Sequence, residues 1–181
     1  MKTFALTFLC ALCALTVTGQ PSNFEEIKKE VRALKPRIFK AEYDKFTQTT
    51  SLRGSLSDSI RDCIISRSAD NTFTYLISVG RSGSGWAWVS VREAIFLLND
   101  EKRLTLTNGT RSSDTYSTTI MGRTTFRFSE ELMFSITLEE WKQIFSATKV
   151  EFQVGATEHK LKYDYKKGCI ALADFAARLK D

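Results

Sequence analysis

The stretch that decides the fold class is ITLEEWKQIFSATKVEFQVG, which covers residues Ile136–Gly155. Thr137 precedes Glu140 by three residues, the spacing of a capping box at the start of a helix. Ile136 and Trp141 occupy the two positions of a hydrophobic staple at the same helix end. The segment that follows, KVEFQVG, alternates apolar and polar residues and is typical of a strand. A capped helix that leads directly into a strand predicts a mixed α and β fold.

Upstream of this helix, strand-like segments alternate with residues that favour turns. The residues from Arg37 to Thr50 are strand-like, and SLRGSLSDS after them predicts a loop. Further segments rich in β-branched and aromatic residues read CIISRS, TFTYLISV, WAWVSVREAIFLL, RLTLT and TYSTTIMGRTTFRFS. Turns are predicted at Asp70 and Asn71, in the Gly/Ser run, at Asn99 and Asp100, and at Asn108 and Gly109.

Helices are predicted near both ends of the chain. In NFEEIKKEVRALK the apolar residues recur at helical spacing, so a short amphipathic helix is predicted with Ser22 or Asn23 as its cap and Pro36 as its stop. A final helix is predicted from about Cys169 to Leu179. Before it, HKLKYDY predicts a second short strand whose shared face holds His159, Leu161, Tyr163 and Tyr165.

These elements together predict the α+β class. We expect a mainly antiparallel sheet of about six to eight strands with an N-terminal helix, a capped helix near 138–147 and a C-terminal helix. The short spacing between strands and the helices near both ends are typical of that class.

The first residues have the three-part layout of a secretory signal peptide. Lys2 is followed by an apolar run from Phe4 to Val17, and small residues precede Gln20. The run is too short to span a bilayer comfortably, and the favoured cleavage follows Gly19. We therefore predict a signal peptide over residues 1–19 and a single α+β domain over residues 20–181, with no integral membrane segment after signal removal. The expected location is periplasmic or extracellular.

Loss of the signal peptide changes the charge and the cysteine content. The net charge falls from +5 to +4 with Lys2, and no basic block exceeds Lys166 and Lys167, so a nucleic-acid partner is not expected. Cys63 and Cys169 become the only cysteines. In an oxidising compartment a disulfide between them would constrain the unfolded chain by roughly 4.7 kcal/mol. The alternative is that both thiols are small buried apolar groups.

The middle and end of the chain resemble exported bacterial proteins of uncharacterised function. The resemblance lies in a tryptophan-bearing strand, the turn in NDEKRLTL, a threonine-rich strand, the capped helix in FSITLEEWKQIFSATKVEFQVG and a terminal helix, over Thr72 to Leu179. It implies the fold and the exported location, and it implies no activity.

Known catalytic and cofactor motifs do not match the sequence. Around Ser82 the nucleophile pattern GxSxG fails, because Ser84 stands where the last glycine is required. A dinucleotide fingerprint requires a glycine where Trp88 stands, and the Gly-Lys-Ser/Thr of a phosphate loop is missing. A single histidine and two distant cysteines do not provide the closely spaced ligand set of a zinc site. We therefore expect no cofactor, no metal site and no catalytic residue.

Titratable residues have structural interpretations that compete with functional ones. The adjacent glutamates are predicted to flank helix N-termini, where negative charge interacts well with the helix dipole; they are Glu25 with Glu26, Glu130 with Glu131, and Glu139 with Glu140. The sole histidine, His159, is predicted to be partly buried and hydrogen-bonded on its strand. Asn108-Gly109-Thr110 matches a glycosylation acceptor in a eukaryotic source and is equally a hairpin turn.

The tryptophans in SGSGWAW, residues Ser82–Trp88, carry the functional hint. If WAW is a strand, Trp86 and Trp88 share one face and are expected in the core, with Trp86 more open because it lies nearer the Gly/Ser run. The alternative is a stacking platform for a sugar or a peptide, with Arg81 and Tyr75 nearby.

Three functional hypotheses remain open from the sequence. The first is an exported, non-enzymatic binding or structural domain with an unidentified small ligand or protein partner. The second is a hydrolase whose carboxylates only the fold brings together. The third is a lipocalin-like carrier of a small apolar ligand, although the early GxW signature of that family is missing.

Overall fold

The computed structural model describes residues 19–35, 37–56, 60–161 and 163–180, so almost all of the predicted signal peptide lies outside the described residues. Within these residues the fold is α+β, as predicted, with ten antiparallel strands in two sheets and three helices. The elements are α1 (Phe24–Leu34), β1 (Phe39–Asp44), β2 (Thr49–Ser55), β3 (Ile60–Arg67), β4 (Phe73–Gly83), β5 (Ala94–Leu98), β6 (Lys102–Leu106), β7 (Thr110–Ile120), β8 (Arg123–Ile136), α2 (Leu138–Ser146), β9 (Val150–Val154), β10 (Thr157–Lys160) and α3 (Tyr163–Ala177).

The larger sheet has six strands in the order β1-β2-β3-β4-β8-β7. Its inner face carries apolar side chains at alternate positions, and Leu52, Ile65, Ile77 and Leu132 on this face are all buried. Helices α1 and α3 contact strands β1 to β3. Apolar alternation in each strand thus places one face of the sheet in the core.

The smaller sheet has four strands in the order β10-β9-β5-β6. Phe96 of β5 lies opposite Phe152 of β9, and their rings stack with centroids 5.0 Å apart. Helix α2 contacts β5 and α3. The buried side chains of both sheets and all three helices belong to one hydrophobic cluster.

The N-terminal end of α2 has the capping interactions that the sequence predicts. The Thr137 side chain accepts from the Glu140 N–H while the Glu140 carboxylate accepts from the Thr137 N–H, so the capping box is confirmed. At the other end, the buried Lys166 ammonium donates to the carbonyls of Ala147 and Thr148 at 2.7 and 2.5 Å. Both ends of α2 therefore have partners for backbone groups that the helix itself leaves open.

The first helix is fastened to the end of the chain. Asn23 precedes α1 as predicted, but its side chain makes no cap hydrogen bond there. It donates to the Arg178 carbonyl at 2.6 Å and accepts from the Lys180 N–H at 2.9 Å. Arg178 in turn forms a bidentate pair with Glu30. The helix ends at Leu34, and the predicted stop, Pro36, lies outside the described residues.

Two glycines make room for one aromatic ring in the core. Phe39 is buried, and a Cβ added at Gly54 would lie 2.6 Å from its ring. A Cβ added at Gly168 in α3 would overlap the same ring. The close approach of α3 to the sheet therefore depends on the missing side chain at Gly168.

Three segments before α2 differ from their predicted structure. The sequence predicts a loop for SLRGSLSDS, yet Ser51–Ser55 completes β2, and residues 57–59 lie outside the described residues. WAWVSVREAIFLL is a strand only from Ala94, because residues 84–93 are irregular. TYSTTIMGRTTFRFS is not one strand but a hairpin, with Met121 and Gly122 at φ 50° and 74° in its turn. The two hairpins β1–β2 and β7–β8 account for the larger number of strands.

The segment HKLKYDY is only partly a strand. Strand β10 ends at Lys160, and Tyr163 begins α3, six residues before the predicted start at Cys169. The helix ends at Ala177, close to the predicted Leu179. Tyr163 and Tyr165 therefore do not share a strand face with His159. The periodicity of two in this short segment coincides with the first turn of a helix, so alternation alone was insufficient.

Candidate functional site

A hairpin arm, defined here as residues 112–127 of β7 and β8, extends from the edge of the large sheet. Strand β4 ends at Gly83, which lies opposite Phe128, while β8 continues back to Arg123. At about 3.4 Å per residue, the arm reaches roughly 17 Å past the end of β4. The side chains at 112–119 and 121–127 are all exposed. Both faces of the arm are therefore accessible.

The arm bears apolar side chains that a folded chain normally buries. Met121 at the tip is 99% exposed and Phe126 is 58% exposed. Tyr116 is 41% exposed on the opposite face from Phe126. Within the described residues, no strand pairs with the outer edge of β7. An open edge next to exposed aromatic residues is a feature of binding surfaces.

The root of the arm holds a buried carboxylate, Glu130, which is 1% exposed. Its oxygens accept hydrogen bonds from the backbone N–H groups of Ala87 and Trp88, at 2.8 and 2.9 Å. Arg81 contacts the carboxylate at 2.9 Å and Arg111 at 3.4 Å. Glu130 thus fastens the irregular segment 84–93 to β8, which explains why WAW does not form a strand.

The environment of Glu130 keeps it ionised. Burial raises its pKa, but the hydrogen bonds from Ala87, Trp88 and Arg81 more than offset burial, and the pKa lies below its ordinary value. A carboxyl group that holds no proton near neutral pH is unsuited to act as a general acid. The prediction that Glu130 and Glu131 flank a helix is wrong, because both lie within β8. The pairs Glu25 with Glu26 and Glu139 with Glu140 do lie in first turns.

Trp86 and Trp88 lie in different environments. Trp86 is 42% exposed, and Trp88 is 1% exposed. Trp86 packs edge-on against Phe128 with ring centroids 4.7 Å apart, and the Arg111 guanidinium lies 5.4 Å from its centre. We call Trp86, Phe126 and Phe128 the aromatic patch. It lies on the inner face of β8 and continues outward along the arm.

Trp88 connects the same segment to the small sheet. Its ring meets His159 of β10 edge-on at 6.4 Å and lies against Gly155 in the turn before β10. His159 also stacks on Phe152 at 5.0 Å. The buried Trp88 Nε1 and His159 Nε2 have no hydrogen-bond partner among the described residues. Burial lowers the pKa of His159, which favours the neutral imidazole.

The predicted ligand-binding residues are therefore only partly brought together. Arg81 and Trp86 both lie at the root of the arm, whereas Trp88 is buried in the core. Tyr75 lies six positions before Arg81 on β4, where its ring packs on Trp141 at 5.9 Å. At about 3.4 Å per residue, Tyr75 is roughly 20 Å from Arg81 and is not part of this site.

The two cysteines lie side by side in the core. The Sγ atoms of Cys63 in β3 and Cys169 in α3 are 2.7 Å apart, which is near but not at the bonding distance of about 2.05 Å. Both side chains are fully buried. Burial, together with the neighbouring Cys63, raises the pKa of the Cys169 thiol well above its ordinary value.

The sequence also raises the questions of glycosylation, metal binding and membrane spans. Asn108 is exposed, with φ 58°, in the turn that leads into β7. Among the described residues, no group of three or more His, Cys, Asp or Glu side chains has the arrangement of a metal site. None of the helices in the described part of the chain has the length and apolarity needed to span a membrane.

No family model, curated protein or solved structure matches this chain. The function must therefore be argued from the geometry of the arm and its root. A cavity of about 590 Å³ at the small sheet is lined by Ile95, Leu97, Phe152 and His159, together with charged side chains such as Arg103 and Glu151. The charged side chains distinguish this cavity from the apolar interior that a lipocalin-like carrier would need.

Sequence reasoning missed Glu130 and the arm, although one signal was present. In FRFSEELMFSI the inward positions of β8 are Phe126, Phe128, Glu130, Leu132, Phe134 and Ile136. A single carboxylate in an otherwise apolar register marks a buried charge that needs a partner. The arginines that pair with it come from other strands, which the sequence alone does not align.

Proposed function

We propose that this protein is an exported, non-enzymatic binding protein that engages an extended polypeptide segment along its hairpin arm. The single observation that carries the proposal is the unpaired outer edge of β7, whose side chains are exposed over residues 112–119, beside the aromatic patch. An extended segment that adds to such an edge gains main-chain hydrogen bonds, and neighbouring pockets supply selectivity.

The composition of β7 supports strand addition. Its sequence, TRSSDTYSTTI, is rich in residues that favour strands and contains no proline, glycine or lysine. Natural edge strands are usually protected by lysine, proline, bulges or a covering element. Apart from the charges of Arg111 and Asp114, this edge of 11 residues lacks these devices, so it is suited to pairing with another strand.

The aromatic patch supplies side-chain contacts to the same partner. A strand that pairs opposite Arg111 and Ser113 brings its inward side chains beside Trp86. Trp86 packs against Phe128, and the two residues that follow it donate to the Glu130 carboxylate, so it loses little conformational freedom on binding. Preformed, half-exposed tryptophan side chains are frequent centres of binding energy.

Binding should be tested with the protein over residues 20–181 on arrays of random-sequence peptides and of glycans, and with anionic phospholipid vesicles. Peptide binding lost in Thr115→Pro and kept in Thr115→Val would support the proposal, because only proline removes an edge N–H. Trp86→Ala should weaken peptide binding more than Trp86→Phe does. Binding of glycans or vesicles without any bound peptide would overturn the polypeptide class.

We also infer that Cys63 and Cys169 form a disulfide when the protein folds in an oxidising compartment. Each thiol gives up one proton and one electron to a disulfide-bearing exchange catalyst, which becomes a dithiol as the protein disulfide forms. The adjacent sulfur atoms support this inference. Because both thiols are buried in the folded chain, oxidation must precede closure of the core around them.

A further inference from the structure

We propose that the strand that completes the arm is β7 of a second copy of this chain, paired antiparallel around a twofold axis at Thr115. The proposal rests on the proposed function and narrows the polypeptide to a single partner. It makes the protein a dimer in which the two large sheets join edge to edge.

The backbone directions of β7 are suited to this pairing. Positions 120 and 123 close the two-residue turn at Met121 and Gly122, so the hydrogen bonds to β8 recur at even-numbered positions of β7. The N–H and C=O groups of odd-numbered positions then point away from β8. Thr115 shows this direction, because its N–H donates to the Asp114 side chain, at 2.7 Å, and not to β8.

The charges of β7 select the register. With Thr115 opposite its own copy, Ser113 lies opposite Ser117, Asp114 opposite Tyr116, and Arg111 opposite Thr119. All residues from 110 to 120 then have a partner, and no like charges face each other. A twofold axis at Asp114 would place two aspartates opposite each other, which is destabilising. Hydroxyl and aromatic neighbours across strands, in contrast, stabilise a sheet.

The outer edge of β7 is a better partner than the other open edge of the arm. Where β4 ends, β8 is unpaired only over residues 123–127, beside a cavity of about 380 Å³. The outer edge of β7 offers 11 residues. It also allows an isologous interface, in which the same surface serves both partners and the assembly closes as a dimer.

Asp114 regulates this edge. Its carboxylate accepts a hydrogen bond from the Thr115 N–H at the centre of the proposed interface. That hydrogen bond must break before the Thr115 N–H can donate to the second copy. The dimer should therefore be in equilibrium with the monomer, as expected for an interface at the small end of the specific size range. Removing the Asp114 carboxylate should shift that equilibrium toward the dimer.

Sedimentation equilibrium of the protein over residues 20–181 tests the proposal. We expect a concentration-dependent dimer, at least about tenfold weaker in Thr115→Pro and unchanged in Thr115→Val, since two main-chain hydrogen bonds to a partner are at stake only in the first. Asp114→Ser should tighten the dimer. Circular dichroism will show whether each variant keeps its fold. A wild-type protein that stays monomeric at all concentrations, or a dimer that Thr115→Pro leaves intact, overturns the proposal.

Charge and cross-linking variants keep the test independent of any folding defect. Thr115→Lys and Thr115→Glu should each be monomeric alone and should dimerise when mixed, because the axis places residue 115 opposite itself. Thr115→Cys should cross-link with itself under mild oxidation, whereas Thr124→Cys, on β8, should not. If these variants show no dimer while peptides still bind the arm, only the second-copy inference fails. If peptides fail to bind as well, the proposed function fails with it.

Discussion

Replacing the buried carboxylate at the root of the arm by an amide should destabilise the protein strongly. In Glu130→Gln one oxygen remains as an acceptor, and an NH₂ group takes the place of the other. In either orientation of the amide, its NH₂ group faces the backbone N–H of Ala87 or that of Trp88, and that N–H loses its acceptor. An unsatisfied buried N–H costs about 1–3 kcal/mol. The partly buried guanidinium groups of Arg81 and Arg111 also lose their counter-charge.

The total loss in Glu130→Gln should be about 3 kcal/mol, within the usual range for breaking a buried ion pair. For a domain of this size, that corresponds to a fall in Tm of roughly 6–12 °C. Denaturant unfolding followed by tryptophan emission measures it. Glu131→Gln is the matched control, because Glu131 lies on the opposite face and accepts from Ser78, a bond that an amide oxygen can keep. A loss below about 1 kcal/mol, or one equal to that of the control, would refute the role given to Glu130.

Three further predictions concern the core. Gly168→Ala should lower the unfolding free energy by about 1–3 kcal/mol despite alanine's higher helix propensity, because the new Cβ meets the Phe39 ring; denaturant unfolding that shows a gain would contradict this packing. Burial lowers the pKa of His159 from its ordinary value of 6.5, so the unfolded chain takes up the proton first and the stability should fall as the pH drops below about 6.5. His159→Gln should flatten that part of the curve of stability against pH. An unchanged curve would refute the assignment. Protein folded under oxidising conditions should have the intact mass of the disulfide form, and reduction should lower its stability. Reductant should leave the stability of Cys63→Ala unchanged. A wild-type protein with two free thiols would contradict the disulfide.

The elements that the sequence predicts well are those whose signals are local. The capping box at Thr137 and Glu140, the helical spacing in α1 and the alternation in β9 each lie within a few residues, and each is present. The turns at Asn99 and Asn108 also have the positive φ values that their residue type favours. The sequence does not predict the turn at Met121 and Gly122, because methionine carries no turn preference, so the pattern predicts one long strand where the structure has a hairpin.

The site was less predictable than the fold because its contacts join distant parts of the chain. Trp86 was recognised as the more open tryptophan, but its neighbours Phe128 and Arg111 come from β8 and β7. Nearness along the chain predicts that Tyr75 belongs to the site. Six strand positions nevertheless separate Tyr75 from Arg81 by roughly 20 Å, so nearness along the chain does not bring the two side chains together.

Buried contacts hold the root of the arm, whereas the side chains toward its tip are exposed. At the root, Glu130 receives donors from the irregular segment, and Trp88 of that segment packs against the small sheet, so the direction of the arm is tied to both sheets. Beyond Phe128 the hairpin has no such support, and a two-stranded ribbon alone is only marginally stable in water. A ribbon with an open edge and exposed aromatic side chains adds little stability by itself, although a buried charge fixes its direction. A second strand paired with β7, as we propose, would supply the stabilising contacts that the ribbon lacks, whether that strand belongs to a peptide or to a second copy of the chain.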